Sequence, residues 1–278
     1  MKKSGLWGVN IPIDLLSEAD DKYLQSLPAC LPTVEWVWAE MDRIWDYYKI
    51  NNKKALSDQA IAEFYSHPVW LMNGIFTSLD PISVKHRDVI AQFISDNDFK
   101  LIADYAGGFG ELAIKMANKS PDSTIKIIEP YPSVFGSYRL KNKENVEISG
   151  ALGIDEYDVI IAQDILEHVE DPIGLAIALS ESVQDNGLIL FANCFYPVIK
   201  CHLPKTFHLR YTFHFLMLTY GLKYQGKLPG AEHVLIFKKT DRLSVKKLRV
   251  AEKISQFSGG VINYSRELFS KLKRKVKS

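Results

Sequence analysis

The sequence predicts a doubly wound α/β fold: a sheet of mainly parallel strands, closed by an antiparallel C-terminal strand pair and preceded by an N-terminal helical cap. Three observations predict it. From Leu101 onward, short apolar segments alternate with amphipathic ones. The stretch Asp104-Tyr105-Ala106-Gly107-Gly108-Phe109-Gly110-Glu111 sets glycines directly between a strand candidate and a helix candidate. Near the C-terminus, two further strand candidates are joined by a connection too short for a crossover.

Residues 1–80 read as the helical cap. Val34, Val37, Trp38, Met41, Ile44, Trp45 and Tyr48 recur at helical spacing, with Glu35, Asp42 and Asp46 on the opposite side. Shorter helical segments are expected over Leu56–Tyr65 and Val69–Phe76. Asp80-Pro81 then reads as an N-cap with proline at the first helical position, opening a helix to about Ser95.

Residues 81–240 form the central domain. Its strands are expected at Leu101–Tyr105, Thr124–Glu129, Val146–Ser149, Tyr157–Gln163 and Leu188–Ala192, with helices at Glu111–Asn118, Pro132–Lys141 and Pro172–Val183. Such alternation places buried strands in a parallel sheet. Gly221–Lys227 and His233–Lys238, linked through Pro229-Gly230, can pair only in antiparallel fashion.

Composition bounds the function. The 278 residues are 47% hydrophobic and 24% charged, as in an ordinary globular protein able to bury a core. The three cysteines Cys30, Cys194 and Cys201 form no C-x-x-C pair, which argues against a disulfide framework or a structural zinc site and fits a reducing compartment. Near the start, Asn10, Pro12 and Asp14 interrupt the apolar stretch that a signal peptide needs. No apolar run approaches the ~20 residues that span a bilayer. The expected location is cytoplasmic, with peripheral attachment at the inner face of a membrane left open. The formal net charge of +1 conceals a polarity: residues 238–278 hold 13 Lys+Arg against 3 Asp+Glu, so a mildly acidic body carries a basic tail.

The glycine segment carries the chemistry. Glycines let the backbone approach a ligand, and the following helix N-terminus offers free N–H donors to a carboxylate. S-adenosylmethionine (SAM) has such a carboxylate, along with an ammonium and a sulfonium that Asp104 at the strand end can face. Glu129, closing the next strand, suits a ribose diol. Gly108-x-Gly110-x-x-Ala113, with Glu129 downstream, also satisfies the dinucleotide fingerprint, so this motif alone admits an NAD enzyme. Three features favour SAM: the acid before the glycines, a second acidic cluster after the fourth strand, and the antiparallel C-terminal pair.

On these residues, the stretch from about His86 to Lys238 resembles class I methyltransferases with their Rossmann-like sheet, especially bacterial enzymes of glycan and secondary-metabolite pathways. The match comprises Asp104–Gly110, Glu129, and Asp164-Ile165-Leu166-Glu167-His168-Val169-Glu170-Asp171-Pro172, followed by the Leu188–Ala192 strand. The resemblance implies SAM as cofactor, S-adenosylhomocysteine as product, and a cofactor site made of Asp104, Ala106, Gly107, Gly108, Gly110, Glu129, Pro130, Ala151, Leu152, Gln163 and Asp164. Gly150, Ala151 and Leu152 would flank the adenine, with Gln163 and Asp164 on its other side. The sequence departs from the family at Ala106, where glycine is usual; alanine is tolerated if its φ is negative.

On the acceptor side, Glu167 and His168 are candidates for deprotonating a hydroxyl as the methyl leaves sulfur, and His208 joins them as a catalytic candidate. The alternative assigns Glu167 and His168 to capping and loop anchoring. Some small-RNA and ubiquinone-pathway methyltransferases use an E-x-x-E-H pattern plus a distant histidine to hold a divalent cation. Here Asp164 would replace the first acid and His208 or His202 the distant ligand, so no metal is assigned. His208, Arg210 and Tyr211 would wall the acceptor pocket, and the cap's off-stripe aromatics, Trp36 and Tyr47, are lid candidates. His67, Asn73 and His86 are alternatives for reaching the cofactor from the cap. The expected reaction is O-methylation of a sugar hydroxyl in a bacterial surface polysaccharide or its precursor. A small molecule of a secondary pathway, and a non-catalytic cofactor-binding subunit, are the alternatives; an acidic body disfavours nucleic acid. The tail, 241–278, carries Val250, Ile254 and Phe257 in one stripe and Val261, Tyr264, Leu268, Leu272 and Val276 in another, among cations suited to an anionic membrane.

Overall fold

The computed structural model describes residues 3–129 and 132–277, with the backbone alone for Lys3, Ser4, Asp58 and residues 267–277. The chain divides into two compact units. The first comprises Met1–Leu152 with Ile199–Cys201 and Pro229–Ala231, and the second comprises Gly153–Val198, His202–Leu228 and Glu232–Ser278.

The first unit opens on a hairpin, β1 (Lys3–Leu6) and β2 (Val9–Pro12), in a small sheet of its own. Leu6 pairs with Val9 across the turn residues Trp7 and Gly8, whose φ values of 52° and 90° are both left-handed. A two-residue loop with both φ positive matches the right-handed twist of the flanking strands. The helices of the cap expected over residues 1–80 are thus preceded by a short hairpin. Leu6 and Ile11 point inward and join a core with Leu24, Ile75 and Phe135, which outweighs any local helix preference.

Helices follow: α1 (Glu18–Gln25), α2 (Val34–Tyr47), α3 (Asp58–Ser66), α4 (Val69–Leu79) and α5 (Pro81–Asp96). Ser17 and Asp20 form a reciprocal capping box at α1, satisfying two otherwise orphaned amides. The stripe of α2 buries Val37, Met41, Ile44 and Trp45. Asp80 accepts a hydrogen bond from the Ser83 amide at 2.8 Å, and Pro81 occupies the first turn of α5, as the sequence predicts. The parallel layer consists of β3 (Leu101–Tyr105), α6 (Glu111–Lys119), β4 (Thr124–Ile128), α7 (Val134–Leu140) and β5 (Val146–Ser149). Its strand order is β5-β4-β3, with Leu101 opposite Thr124 and Ile125 opposite Val146.

The second unit contains β6 (Tyr157–Gln163), α8 (Pro172–Ser182), β7 (Val183–Ala192), α9 (Phe213–Tyr220), β8 (Lys223–Leu228), β9 (Ala231–Lys238) and α10 (Val245–Lys277). Its strand order is β6-β7-β9-β8, with β6 parallel and β9 antiparallel to β7. The parallel strands of both units and the antiparallel β9 are the mainly parallel strands with an antiparallel C-terminal pair that the sequence predicts. β7 starts at Val183 rather than Leu188, because Gln184–Gly187, polar enough to read as a turn, continue the strand through a register shift with Asn186 left-handed at φ 67°. Lys239, buried just past β9, donates to the Val183 carbonyl at 2.6 Å and pairs with Asp155. Among the described residues no helix is long and apolar enough to cross a membrane.

Candidate active site

In the first unit the chain turns sharply after β3. Ala106, Gly108 and Gly110 have φ of 54°, 55° and 73°, so every second residue of the loop is left-handed. Such alternation turns successive amides toward one concavity, which favours an anion. Gly110 is also the N-cap of α6 and brings no capping side chain of its own. The glycines are required for different reasons. A Cβ on Gly107 would lie 2.6 Å from Asp104 Oδ2, whereas at Gly108 nothing lies within 4 Å and the backbone angle alone favours glycine. Ala106 departs from the expected negative φ: it is a left-handed non-glycine, a conformation costing roughly 1–2 kcal/mol. Its amide donates to the Ile128 carbonyl at 3.0 Å, which fixes the residue in that conformation.

Asp104 is the unusual group of this half. It is buried, and its Oδ2 has no hydrogen-bond partner. Burial raises its pKa to about 7, against the opposing pull of Arg87 and the Ala113 amide and with a further upward push from Glu129. An unsatisfied buried carboxylate oxygen beside a glycine cradle fits an ammonium donor that would replace lost solvation. Glu129 follows β4, its amide bonded to the Ser149 carbonyl at 2.9 Å. Pro130, assigned to the cofactor by sequence, lies outside the described residues. Beyond β5, Ser149 Oγ donates to the Ala151 carbonyl at 2.9 Å and shapes the turn that carries Ala151 and Leu152.

Phe109 leaves the same loop toward the cap. A Cβ on Gly74 of α4 would lie 1.9 Å from the Phe109 ring, so the ring rests directly on helix backbone. Arg87, one residue from the candidate His86, is the cap-side group that acts on Asp104, and it also donates to the Thr77 carbonyl at 2.6 Å. The available signal was weak: Arg87 is the single arginine of α5. His67 instead accepts from the Val69 amide at 3.0 Å and packs edge-on against Tyr23, a capping role.

In the second unit, Gln163 ends β6 and its Nε2 donates to Asp164 Oδ2 at 3.3 Å. Asp164 is left-handed at φ 51°, an angle aspartate tolerates, with its amide bonded to the Ala192 carbonyl at 2.8 Å. The short 3₁₀ turn Leu166–His168 then presents Glu167 and His168. Glu167 is fully buried; its Oε1 accepts from the Cys194 amide at 2.8 Å and its Oε2 has no hydrogen-bond partner. Burial, followed by the charge of Asp164, pushes the Glu167 carboxyl well above the usual range, so it holds a proton near neutral pH. His168 and His202 meet edge-to-face at 4.8 Å between ring centroids, and His202 Nδ1 lies 3.0 Å from the Tyr196 carbonyl oxygen.

Glu167, His168 and His202 thus converge, each offering an atom within 4.8 Å of the others. A carboxyl and two imidazoles can pass a proton among themselves or hold a divalent cation. Of the two distant histidines considered from sequence, His202 joins this group. His208 instead bonds Ser255 of α10 at 2.7 Å, and burial lowers its pKa to about 4. Cys194 and Tyr196, which sequence reasoning passed over, border the cluster; burial raises the Cys194 thiol to about 11. Arg210 stacks over the rings of Tyr196 and Tyr211 at 4.8 and 5.1 Å.

The sequence is 26% identical over 132 residues to the ubiquinone biosynthesis O-methyltransferase of Hydrogenovibrio crunogenus, a match covering 45% of this chain. It spans about half, 54%, of that relative's length. The fold is similar to that of human N-acetylserotonin methyltransferase, solved in complex with SAM, at a TM-score of 0.50 and 17% identity, over 80% of this chain and 70% of that one. It is also similar to that of a candidate O-methyltransferase from Nostoc punctiforme, at 0.51 and 14%, over 77% and 74% of the two chains. The chain has the class I methyltransferase fold. No family model matches the sequence.

Proposed function

We propose that this chain is a SAM-dependent O-methyltransferase. The observation that carries the proposal is Asp104: a buried carboxyl at the end of β3, with one oxygen lacking a hydrogen-bond partner and with Gly107 leaving no room for a side chain beside it. The curated relative and the two folds above support the reaction class.

Bound SAM supplies an electrophilic methyl group. Asp104 would hold its ammonium, the amides opening α6 its carboxylate, and Glu129 its ribose hydroxyls. His168 would take the proton of the acceptor hydroxyl. Glu167 keeps its own proton, and His202, edge-to-face with His168, orients that ring. Positioning supplies most of the acceleration. The same three side chains suit a divalent cation, which they would hold as one carboxylate and two imidazole ligands.

The acceptor is a hydroxyl compound. A small molecule is favoured by the relative's role in ubiquinone biosynthesis. A sugar of a surface polysaccharide rests on exposed aromatics of the cap, Tyr47 and Tyr65. Calorimetric titration with SAM, S-adenosylhomocysteine and NAD, beside an Asp104→Ala control, tests the cofactor. Binding of the first two, lost in the variant, is expected; binding of NAD alone refutes the proposal. A labelled-methyl screen of phenolic and glycan acceptors, with and without EDTA, then separates the acceptor classes and the metal.

A further inference from the structure

The basic tail folds as one helix, α10, and its amphipathicity is inverted. Leu248, Glu252, Ser255 and Gly259 face inward and are buried. This inner face is mainly polar and is fastened by hydrogen bonds: Ser255 Oγ to His208 Nδ1 at 2.7 Å and to Thr212 Oγ1 at 2.6 Å, and Asn263 Nδ2 to the Phe207 carbonyl at 2.9 Å. A Cβ on Gly259 would lie 2.6 Å from His208 Cβ, so the helix sits at close range and its rotation is fixed. The apolar side chains Val250, Ile254, Phe257, Val261 and Tyr264 are consequently turned outward, with Phe257 93% and Val261 70% exposed. Their spacing of alternately four and three residues makes one continuous row; Leu268, Leu272 and Val276, the rest of the second stripe expected from sequence, lie outside the described side chains. Exposed Lys246, Lys247 and Lys253 flank this row.

We propose that this outward face docks on the surface of an anionic phospholipid bilayer. Charge selects the occupant. With 13 cations against 3 anions in residues 238–278, a second copy would set like charges against each other. Nucleic acid would match the lysines yet leave the apolar row uncovered. A lipid surface accepts both, the row entering the acyl boundary and the lysines remaining among the headgroups. Among the described residues α10 lacks the apolar length to cross a membrane, so the docked helix lies in the interfacial plane.

The test is co-sedimentation of the full chain with vesicles of phosphatidylcholine, with or without phosphatidylglycerol. The protein pellets with the anionic vesicles at low salt, and partition falls about fivefold for each lysine removed. Ile254→Glu/Phe257→Glu lowers the bound fraction at least about tenfold, while Ile82→Glu, an equally exposed site on α5, leaves it unchanged. Both positions of the double variant are exposed, so its thermal midpoint should match wild type. Failure to pellet, equal binding to neutral vesicles, or insensitivity to the double variant overturns the proposal. So does displacement by a short RNA, or a dimer seen by light scattering that the double variant dissolves.

Discussion

Replacing Asp104 by asparagine should make the ligand-free protein more stable at high pH and less stable at low pH. In the folded chain the carboxyl ionises near 7 instead of 3.8. At roughly 1.4 kcal/mol per pKa unit, this difference penalises the charged form by about 4 kcal/mol. Between these two pH values the folded state carries a proton that the unfolded state has lost. Wild-type stability from this residue is therefore complete below about pH 4 and declines as pH rises through about 7. Asparagine keeps the shape and removes the titration. Its amide nitrogen, placed where Oδ2 lacks a partner, costs about 1–3 kcal/mol at every pH. The variant should then be less stable by that amount below pH ~4 and more stable by roughly 1–3 kcal/mol above pH ~7.5. Urea denaturation of both proteins across this range measures the difference directly. A pH-independent difference, or one of opposite slope, would refute the reasoning. The added stability should come with lost function, because SAM should raise the melting temperature of wild type alone.

Two further predictions rest on single groups. Ala106→Gly removes the side chain from a left-handed residue and should stabilise the ligand-free chain by up to about 1 kcal/mol, net of glycine's greater unfolded-state entropy; an unchanged or lowered denaturation midpoint would contradict the strain. His208, whose pKa burial lowers to about 4, takes up a proton in the unfolded state first. Its stabilising contribution is complete above about pH 6.5 and is lost as pH falls toward 4; the ring is only half-buried, and screening reduces the effect to about 1 kcal/mol. His208→Gln should flatten that part of the wild-type pH profile, and an unaltered acid limb would speak against it.

Much of the fold was legible because it rests on periodicity. β3, β5 and β6 have the bounds read from their apolar runs, and Asp80-Pro81 opens α5 as written. The misses share a cause: tertiary contacts overrode local composition. The β1–β2 hairpin carries only a weak turn signal at Trp7-Gly8, and its buried Leu6 and Ile11 are recognisable only beside Ile75 and Phe135. Gln184–Gly187 reads as a turn until its pairing is known. At the site, residue types were readable and conformations were not. Nothing in the sequence announces that Ala106 is left-handed, that Arg87 acts on Asp104, or that His202 rather than His208 joins Glu167 and His168. Likewise α10 has an obvious apolar stripe, but only Ser255, Asn263 and Gly259 reveal which way it faces.

The contact of Phe109 with Gly74 bears on modularity. A loop that leans its ring on the bare backbone of α4 cannot be inherited or engineered separately from that helix. Any graft that exchanges the N-terminal helices for those of a relative must bring its own glycine at position 74 or give up the loop's aromatic. The converse also holds: residues far from any reacting atom acquire a veto over which cofactor loop the sheet can display. Recombination within this scaffold is therefore expected to succeed when α4 and the glycine loop travel together, and to fail at crossovers placed between Gly74 and Phe109.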